Sequence, residues 1–238
     1  MSIKKIKKHS CVTCVNRCFI KEISDTQILQ AISEKKEITF YEKKQQILSE
    51  GNPVHSILFI YSGKVKEYKK GIASKQQIVR FSNQGDILGH RGINSNIVPI
   101  SATALEDTVI CSIPRQEVLN LLQNDFNLIY KLLMFFADEL NNSEVRERNM
   151  AHMTVPEKIA DTILYLKKVY GIDKNNFLNI DLSRKDIAYY AGTTKEQVSK
   201  TLSDFKNDGI IDLDVKSIQI IHEQMLKNMT VLHSKMAF

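Results

Sequence analysis

The feature that most constrains the fold is a stretch from Arg115 to His152 that contains neither glycine nor proline. Its middle, LIYKLLMFFADEL, is apolar on almost every side of a helix, and such a helix must be buried on every side. One face can cover a neighbouring domain, and the other has coiled-coil spacing, which predicts a partner helix from a second copy of the chain. An ordinary core helix in a monomer is the alternative. The seam residues are Phe126, Ile129, Leu133, Phe136 and Leu140.

The chain before this helix has a different residue pattern. Residues 38–114 contain short β-rich runs, such as SILFIYSGKVKEYKK and TVICSI, that are separated by glycines or by Asn-Pro. Short strands at intervals marked by turns are typical of an antiparallel barrel or roll. Residues 21–35 have helical apolar spacing and predict a short surface helix.

The chain after the helix contains SRKDIAYYAGTTKEQVSKTLSDFKNDGII, which predicts two short helices around a tight turn. Ser183 can cap the first helix, Gly192 suits the turn, and Thr193 or Thr194 can cap the second. The following IIDLDVKSIQII predicts a two-stranded wing. This order of elements is that of a winged helix-turn-helix. The buried stripe of the second helix is predicted to be Val198, Leu202 and Phe205.

The opposite face of the second helix is polar and suits the major groove of DNA. Lysine can donate to guanine, glutamate can accept from cytosine, and serine can contact base edges or phosphate. A helix pair whose polar face is merely solvated is the alternative. The predicted DNA-contacting residues are Lys195, Glu196, Ser199, Lys200, Thr193, Thr194 and Ser183.

These segments predict an α+β protein with three folded parts. The parts are an antiparallel β-roll similar to cupin and cyclic-nucleotide-binding barrels, a long dimerisation helix and a winged helix-turn-helix. The predicted boundaries are an N-terminal arm at 1–20, the roll at 21–114, the helix at 115–152, the DNA-binding domain at 153–224 and a tail at 225–238.

The composition bounds the location and the partners. No apolar run approaches the ~20 residues that a membrane span needs. The Lys-rich start lacks the apolar region of a secretory signal, so we expect a cytoplasmic protein with no membrane partner. The net charge of +6 permits an anionic partner such as DNA.

Four cysteines are the remaining unusual feature. Cys11, Cys14 and Cys18 are clustered as C-x2-C-x3-C, whereas Cys111 lies far along the chain. The cytosol keeps thiols reduced, so such a set suggests metal binding, redox chemistry or plain burial before structural disulfides. Zinc, an iron–sulfur cluster, thiol oxidation and no metal at all stay open at this point.

The order of barrel, long helix and winged helix resembles the CRP/FNR family of bacterial transcription regulators over nearly the whole chain. Glu196 and Lys200 fall where that family places its base-reading Glu and Arg, and Ser199 falls where the FNR branch has a Ser. The resemblance implies a homodimer on a palindromic DNA site with half-sites similar to TTGA, and RNA polymerase as a partner. Lys200 lacks the fixed bidentate fork of Arg, which bears on the half-site preference.

The same resemblance separates two kinds of signal. The cyclic-nucleotide branch binds phosphate through an Arg-Ser pair, but Ile100 precedes Ser101 here. Without that Arg the phosphate lacks its bidentate partner, so we expect no cyclic-nucleotide binding. His90 and Arg91 are expected to be loop residues rather than substitutes for it.

The FNR branch is similar to this chain in having an N-terminal cysteine cluster and a barrel cysteine just before Ile-Pro, as in TVICSIP. In that branch four thiolates hold an oxygen-sensitive [4Fe-4S] cluster. The resemblance implies the ligands Cys11, Cys14, Cys18 and Cys111, although the gap before the third cysteine is shorter here. An enzyme with a regulatory barrel is the competing class, and no catalytic motif supports it.

Overall fold

The computed structural model describes residues 4–5, 9–71 and 75–234. By its contacts the chain divides into two compact units. The first unit comprises Met1–Ser74 and Val79–Phe136, and the second comprises Lys75–Ile78 and Ala137–Phe238. Within the described residues, no helix combines the length and the apolar character needed to cross a membrane.

The first unit is built on two sheets. One sheet has five strands in the order β1-β2-β9-β4-β7, and the other has four in the order β3-β8-β5-β6. Pairs β2–β9, β4–β9 and β5–β8 are antiparallel, so the predicted roll is confirmed. The strands are β1 (Lys4–Lys5), β2 (Glu37–Tyr41), β3 (Gln46–Leu48), β4 (Ser56–Ser62), β5 (Val65–Lys70), β6 (Gln76–Ser82), β7 (Ile87–Leu88), β8 (Ser101–Ala104) and β9 (Thr108–Pro114).

Strand β4 shows how the roll builds two apolar layers. Successive side chains of a strand point to opposite faces, and β4 is buried on both. Leu58 and Ile60 pack in a cluster of roll residues, whereas Ile57 and Phe59 pack in a second cluster that also contains helical residues. The roll therefore needs helices on one face, which explains the continuous apolar run in this strand.

The first unit contains the helices α1 (Thr26–Lys35) and α2 (Arg115–Asn124). The long helix α3 (Phe126–His152) begins in the first unit and continues into the second. The sequence predicts one helix at 115–152, but the structure divides it at Asp125. That residue is extended, with φ −131° and ψ 101°, and its Oδ1 accepts the N–H of Leu128 at 3.1 Å. Asp125 thus ends one helix and caps the next, although neither Gly nor Pro marks the break.

The second unit contains α4 (Val155–Tyr170), α5 (Arg184–Ala191), α6 (Lys195–Asn207), the hairpin β10 (Ile211–Asp214) and β11 (Ser217–Ile220), and α7 (Glu223–Ser234). A capping box between Thr154 and Glu157 begins α4. The predicted helix-turn-helix and wing are confirmed. The segment expected as a tail at 225–238 is largely α7, and its residues 235–238 lie outside the described part, as do residues 1–3 and 6–8 of the arm.

Candidate functional site

The N-terminal arm is held to the first unit by side chains that are distant in sequence. The N–H of Cys11 donates to Ser33 Oγ at 2.7 Å, and Ser33 Oγ in turn donates to the Leu29 carbonyl at 2.7 Å. Further along the arm, the Asn16 amide donates to the Tyr61 carbonyl at 2.5 Å. The arm has little regular structure, so these contacts determine where its cysteines lie.

A glycine of the roll gives the arm room to approach. Gly85 has φ +91°, and a Cβ built on it would lie 3.0 Å from the Arg17 carbonyl oxygen. A side chain at this position would be strained and would crowd the arm backbone. Gln84, the preceding residue, donates to Asn16 Oδ1 at 2.5 Å. The turn before β7 is therefore part of the surface that receives the arm.

The four cysteines come together although they are separated in sequence. Cys11 is buried in the apolar cluster beneath the roll, and Cys14 and Cys18 are half-buried. Cys111 lies on β9, the middle strand of the five-stranded sheet, opposite Ile38 and Phe59. The rigid sheet thus supplies one thiol and the arm supplies three.

All four cysteine side chains line one pocket. The space between its walls, counted together with the open solvent at its mouth, is about 380 Å³. Its other walls are mostly apolar and include Phe59 and Ile113, but the side chain of Lys36 also reaches it. No disulfide joins the cysteines. The chain therefore presents four free thiols to a shared volume on one side of the roll.

Burial sets the protonation of two of these thiols. It raises the pKa of Cys111 to about 11, against which the Lys36 charge acts in the opposite direction. Burial also raises the pKa of Cys18, although backbone N–H groups of Lys21 and Ile20 partly offset it. Both groups are neutral thiols near pH 7 unless a cation displaces their protons.

The donor set has the number and type of ligands that an iron–sulfur cluster takes. Within the part of the chain that the structure describes, no three His, Cys, Asp or Glu side chains converge closely enough for one metal ion. Four thiols spread around a pocket are the arrangement that a cubane iron–sulfur cluster requires, since each iron takes one thiolate at a separate corner. The residues present therefore fit a [4Fe-4S] group in number and type, and all four line the same pocket.

The positions where the resemblance places a phosphate-binding pair are packed inside the roll. Ile100 and Ser101 are fully buried, and Ser101 Oγ accepts the N–H of Glu50 at 3.1 Å. His90 and Arg91, expected in a loop, instead form a short 3₁₀ turn. Arg91 pairs with the buried Glu67 at 3.2 Å. The Arg91 guanidinium and the Ser101 hydroxyl therefore already have partners within the roll.

His90 itself is enclosed by apolar groups. Its ring lies edge-on to Phe135, with centroids 5.0 Å apart, and 5.7 Å from the ring of Phe136. Burial lowers the pKa of His90 to about 3, and the neighbouring Arg91 and Arg80 charges act in the same direction. His90 is a neutral packing residue between the roll and α3.

In the second unit, local caps orient α5 and α6. Ser183 Oγ accepts the N–H of Asp186 at 3.1 Å and donates to the Asp186 carboxylate. Thr194, rather than Thr193, caps α6 by accepting the N–H of Gln197 at 3.3 Å. Thr193 instead donates to the Gln197 side chain. The predicted contact residues Ser183, Thr193 and Thr194 therefore all lie at helix starts.

Gly192 makes the turn between these helices. It has φ +65°, and a Cβ there would lie 2.6 Å from Met150 Cε. The turn thus needs glycine for its left-handed backbone, and a larger residue would also displace the end of the Met150 side chain. Val198, Leu202 and Phe205 are buried, as predicted.

The outer face of α6 carries the predicted base-reading residues. Lys195, Glu196 and Lys200 are exposed, and Ser199 is half-exposed. Gln197 is also exposed in the first turn, although it is not among the contact residues predicted from the sequence. Its place in the sequence could have identified it, because it directly follows Glu196 and precedes Val198, where the buried stripe of this helix begins. These side chains form a continuous polar surface of a size and chemistry that suit a DNA groove.

Most of the predicted seam of α3 is exposed. Phe126, Leu133 and Leu140 are 78%, 58% and 61% exposed, and Ile129 is also exposed. Leu128 and Leu132, on the other side of the helix, are buried against the roll. Phe136 differs from the rest of the seam because it is half-buried and packs against the same buried cluster.

Comparisons with known proteins agree with this architecture. A profile described as a cyclic nucleotide-binding domain matches residues 38–125, and a Crp-like helix-turn-helix domain profile matches residues 157–229. The anaerobic regulatory protein of Haemophilus influenzae is 28% identical over 91% of this chain and 88% of its own length. The fumarate and nitrate reduction regulatory protein of Salmonella typhimurium is 25% identical over 94% of this chain and 93% of its own.

A solved structure shows the same fold. FixK2 from Bradyrhizobium japonicum is 26% identical, with a TM-score of 0.73 over 82% of this chain and 96% of that one. The relatives are transcription regulators rather than enzymes.

Proposed function

Because this chain belongs to the CRP/FNR family of DNA-binding transcription regulators, we propose that it senses oxygen or a related redox signal through an iron–sulfur cluster. The observation that carries the proposal is the shared pocket, which all four cysteines of the chain line. The ligands are Cys11, Cys14, Cys18 and Cys111. The anaerobic regulators to which the chain is similar support the same class of signal.

When bound, the cluster supplies iron–sulfur bonds that oxygen can break. The contacts of the arm with the rest of the protein would turn the loss of these bonds into a change in packing. Cys11 packs in the same buried cluster as Leu128 and Leu132 of α3, so the order of the arm and the packing of that helix depend on each other. Fixing the arm to Cys111 favours one arrangement of this layer, and releasing it removes the constraint.

Two other chemistries for the cysteines are less well supported. Zinc needs four ligands around one ion, and within the described residues the side chains do not converge in that way. A bare thiol sensor needs accessible thiolates, but burial raises the pKa of both Cys18 and Cys111. The short C-x2-C-x3-C spacing remains compatible with a cluster because the pocket already collects the third cysteine.

The exposed stripe of α3 supports a homodimer. Phe126, Ile129, Leu133 and Leu140 lie on the side of the helix away from the buried Leu128. Such a row of large apolar side chains is expected to pack against a second copy, with Phe136 contributing at its edge. A homodimer places two copies of α6 on a two-fold symmetric site, which is the arrangement that a palindrome with TTGA-like half-sites requires.

The DNA contacts are assigned to the outer face of α6 and to the helix starts. Lys195, Glu196, Ser199 and Lys200 would contact bases, and Ser183, Thr193 and Thr194 would contact phosphate. A regulator bound in this way would act with RNA polymerase in the cytoplasm. We also propose that no cyclic nucleotide takes part, since Ile100 cannot supply the guanidinium that a phosphate needs.

The base contacts are tested by Glu196→Ala. This change should cost about 1–3 kcal/mol of discrimination at one base pair of each half-site while leaving salt-dependent, non-specific binding intact. Binding to a panel of single-base variants of the site measures this. Asp204→Ala, an exposed carboxylate further along α6, is the matched control. Unchanged base preference in Glu196→Ala would remove Glu196 from the interface.

The sensing proposal is tested on protein purified without oxygen. Iron and acid-labile sulfide per chain are measured together with the visible absorption spectrum. About four of each, with an absorption that bleaches in air, is the expected result. Zinc in place of iron, or no metal at all, would contradict the proposal and leave a DNA-binding regulator with a different signal.

A further inference from the structure

Lys36 is the unusual residue of the cysteine pocket. It follows the last turn of α1, where its N–H donates to the Ile32 carbonyl, and β2 begins directly after it. Its side chain is 2% exposed and is among the largest fully buried side chains of the chain. A lysine is almost never buried in this way unless its charge is paired.

The described surroundings of Lys36 provide no full counter-charge. Its Nζ donates to Cys11 Sγ at 3.2 Å, and sulfur is a weak acceptor. Among the described residues, no Asp or Glu forms an ion pair with it. Its neighbour Lys35 is different, since it is exposed and pairs with Glu117 at 2.8 Å. A buried ammonium beside a thiol is costly unless the pocket acquires negative charge.

We propose that Lys36 is a positioning residue that compensates the negative charge of the iron–sulfur group and orients Cys11 toward it. This inference rests on the proposed function. Four thiolates give a cubane core a net negative charge, and one buried cation beside the first ligand offsets part of it. Hydrogen bonds and charges around the sulfur ligands are known to set the potential and retention of such groups.

The inference predicts opposite effects on the loaded and the empty protein. Lys36→Met keeps the length and apolar stem of the side chain but removes the charge. In cluster-free protein it should not lower the unfolding temperature, because it removes a buried cation that lacks a full partner. In loaded protein it should speed the loss of iron to a chelator by about tenfold, as changes to outer-shell partners do.

The reduction potential separates a charge effect from a packing effect. Removing a cation disfavours the more negative, reduced cluster, so the midpoint potential of Lys36→Met should be more negative than that of the parent protein. Lys36→Arg restores the charge and should return the potential toward the parent value. Lys35→Met is the matched control because it removes the neighbouring charge at the surface, and it should leave iron retention and potential unchanged.

The outcomes can be told apart. A parent protein that contains no iron–sulfur group when purified without oxygen would overturn the proposed function and this inference with it. A loaded parent whose Lys36→Met variant keeps the same potential and iron retention would overturn the inference alone. A lower unfolding temperature for cluster-free Lys36→Met, or equal potential shifts in Lys36→Met and Lys36→Arg, would show a structural role and also overturn it.

Discussion

The helix-turn-helix and the cysteine pocket are built in different ways. In the helix-turn-helix, the side chains that shape the site bond to residues three positions away, as Thr194 does to Gln197 and Ser183 does to Asp186. In the cysteine pocket, the contacts join distant parts of the chain, as between Cys11 and Ser33. The first site is encoded locally, whereas the second exists only once the roll has folded.

This difference has a consequence for regulation. α5 and α6 rest on their own apolar core, which includes Val198 and Leu202. The arm is held to the rest of the first unit by polar contacts and by the packing of Cys11 and Ile20 in the buried cluster. The arm has little regular structure of its own, and such a segment opens more readily than a helix packed in a core. The arm is therefore suited to respond to a signal, and the DNA-reading surface is suited to stay unchanged while it does.

Among the changes that test this comparison of the two sites, Cys111→Ser is expected to have the largest effect. The change removes the one thiol that the rigid sheet supplies, so iron should fall from about four per chain to less than about one. The thermal unfolding of the second unit should not change. Iron analysis and circular dichroism on protein purified without oxygen measure both. Ser112→Ala, the next residue on β9, is the control, and full iron in Cys111→Ser would remove Cys111 from the ligand set.

The reverse test is Leu202→Ala, in the core of the second unit. Leu202 is fully buried, so its truncation should cost about 2–5 kcal/mol of the free energy of unfolding of that unit and should weaken DNA binding at 37 °C. The iron content and absorption spectrum should remain those of the parent. Ser203→Ala, the exposed neighbour, controls for helix propensity. A parallel fall in iron content would show that the two sites are not independently built.

The sequence predicts the second unit well because its signals are local. The stripe of Val198, Leu202 and Phe205 has helical spacing, and the glycine at 192 marks the turn, so both are visible without knowledge of the fold. The order of roll, helix and winged helix can likewise be predicted, because the residue pattern changes from one segment to the next. The assignment of the α6 cap to Thr194 rather than Thr193 needed the structure, since both hydroxyls could serve.

Two features of the structure could not be predicted from the sequence, and both have physical reasons. The break at Asp125 is absent from the prediction because no Gly or Pro marks it, although Asn124 and Asp125 are both residue types that favour caps. Lys36 lies in the run EKKE, which is typical of a solvated surface. The chain leaves α1 at this point and enters β2, so Lys35 lies at the surface while Lys36 is buried. Only the tertiary packing distinguishes the two lysines.

A smaller effect is expected at the contact that docks the arm. Ser33→Ala removes the acceptor of the buried Cys11 N–H, and an unsatisfied buried donor costs about 1–3 kcal/mol. Amide exchange in the arm should accelerate by the corresponding factor, and iron should be lost more readily. Ser24→Ala, an exposed serine before α1, is the control. Unchanged exchange at Cys11 would mean that Ser33 does not hold the arm.

The smallest effect is expected for the equivalent contact in the locally built site. Thr194 also accepts a backbone N–H, that of Gln197, but at 3.3 Å and at the surface. Thr194→Ala should therefore cost about 0.5–1 kcal/mol, the lower part of the range for cap removal, because water can replace the hydroxyl. Thermal unfolding of the second unit in the absence of DNA measures it.

Thr193→Ala is the matched control for this last change, since Thr193 contacts the Gln197 side chain and does not cap the helix. A loss of stability in Thr194→Ala that exceeds the loss in Ser33→Ala would contradict the comparison, because it would make the exposed local contact the stronger of the two. A smaller loss, confined to the second unit and without change in iron content, is the expected result. Burial explains this result. Water can replace the exposed Thr194 hydroxyl, so that group stabilises its helix only slightly. Water cannot reach the buried Ser33 hydroxyl, so its loss should weaken the hold on the arm more strongly.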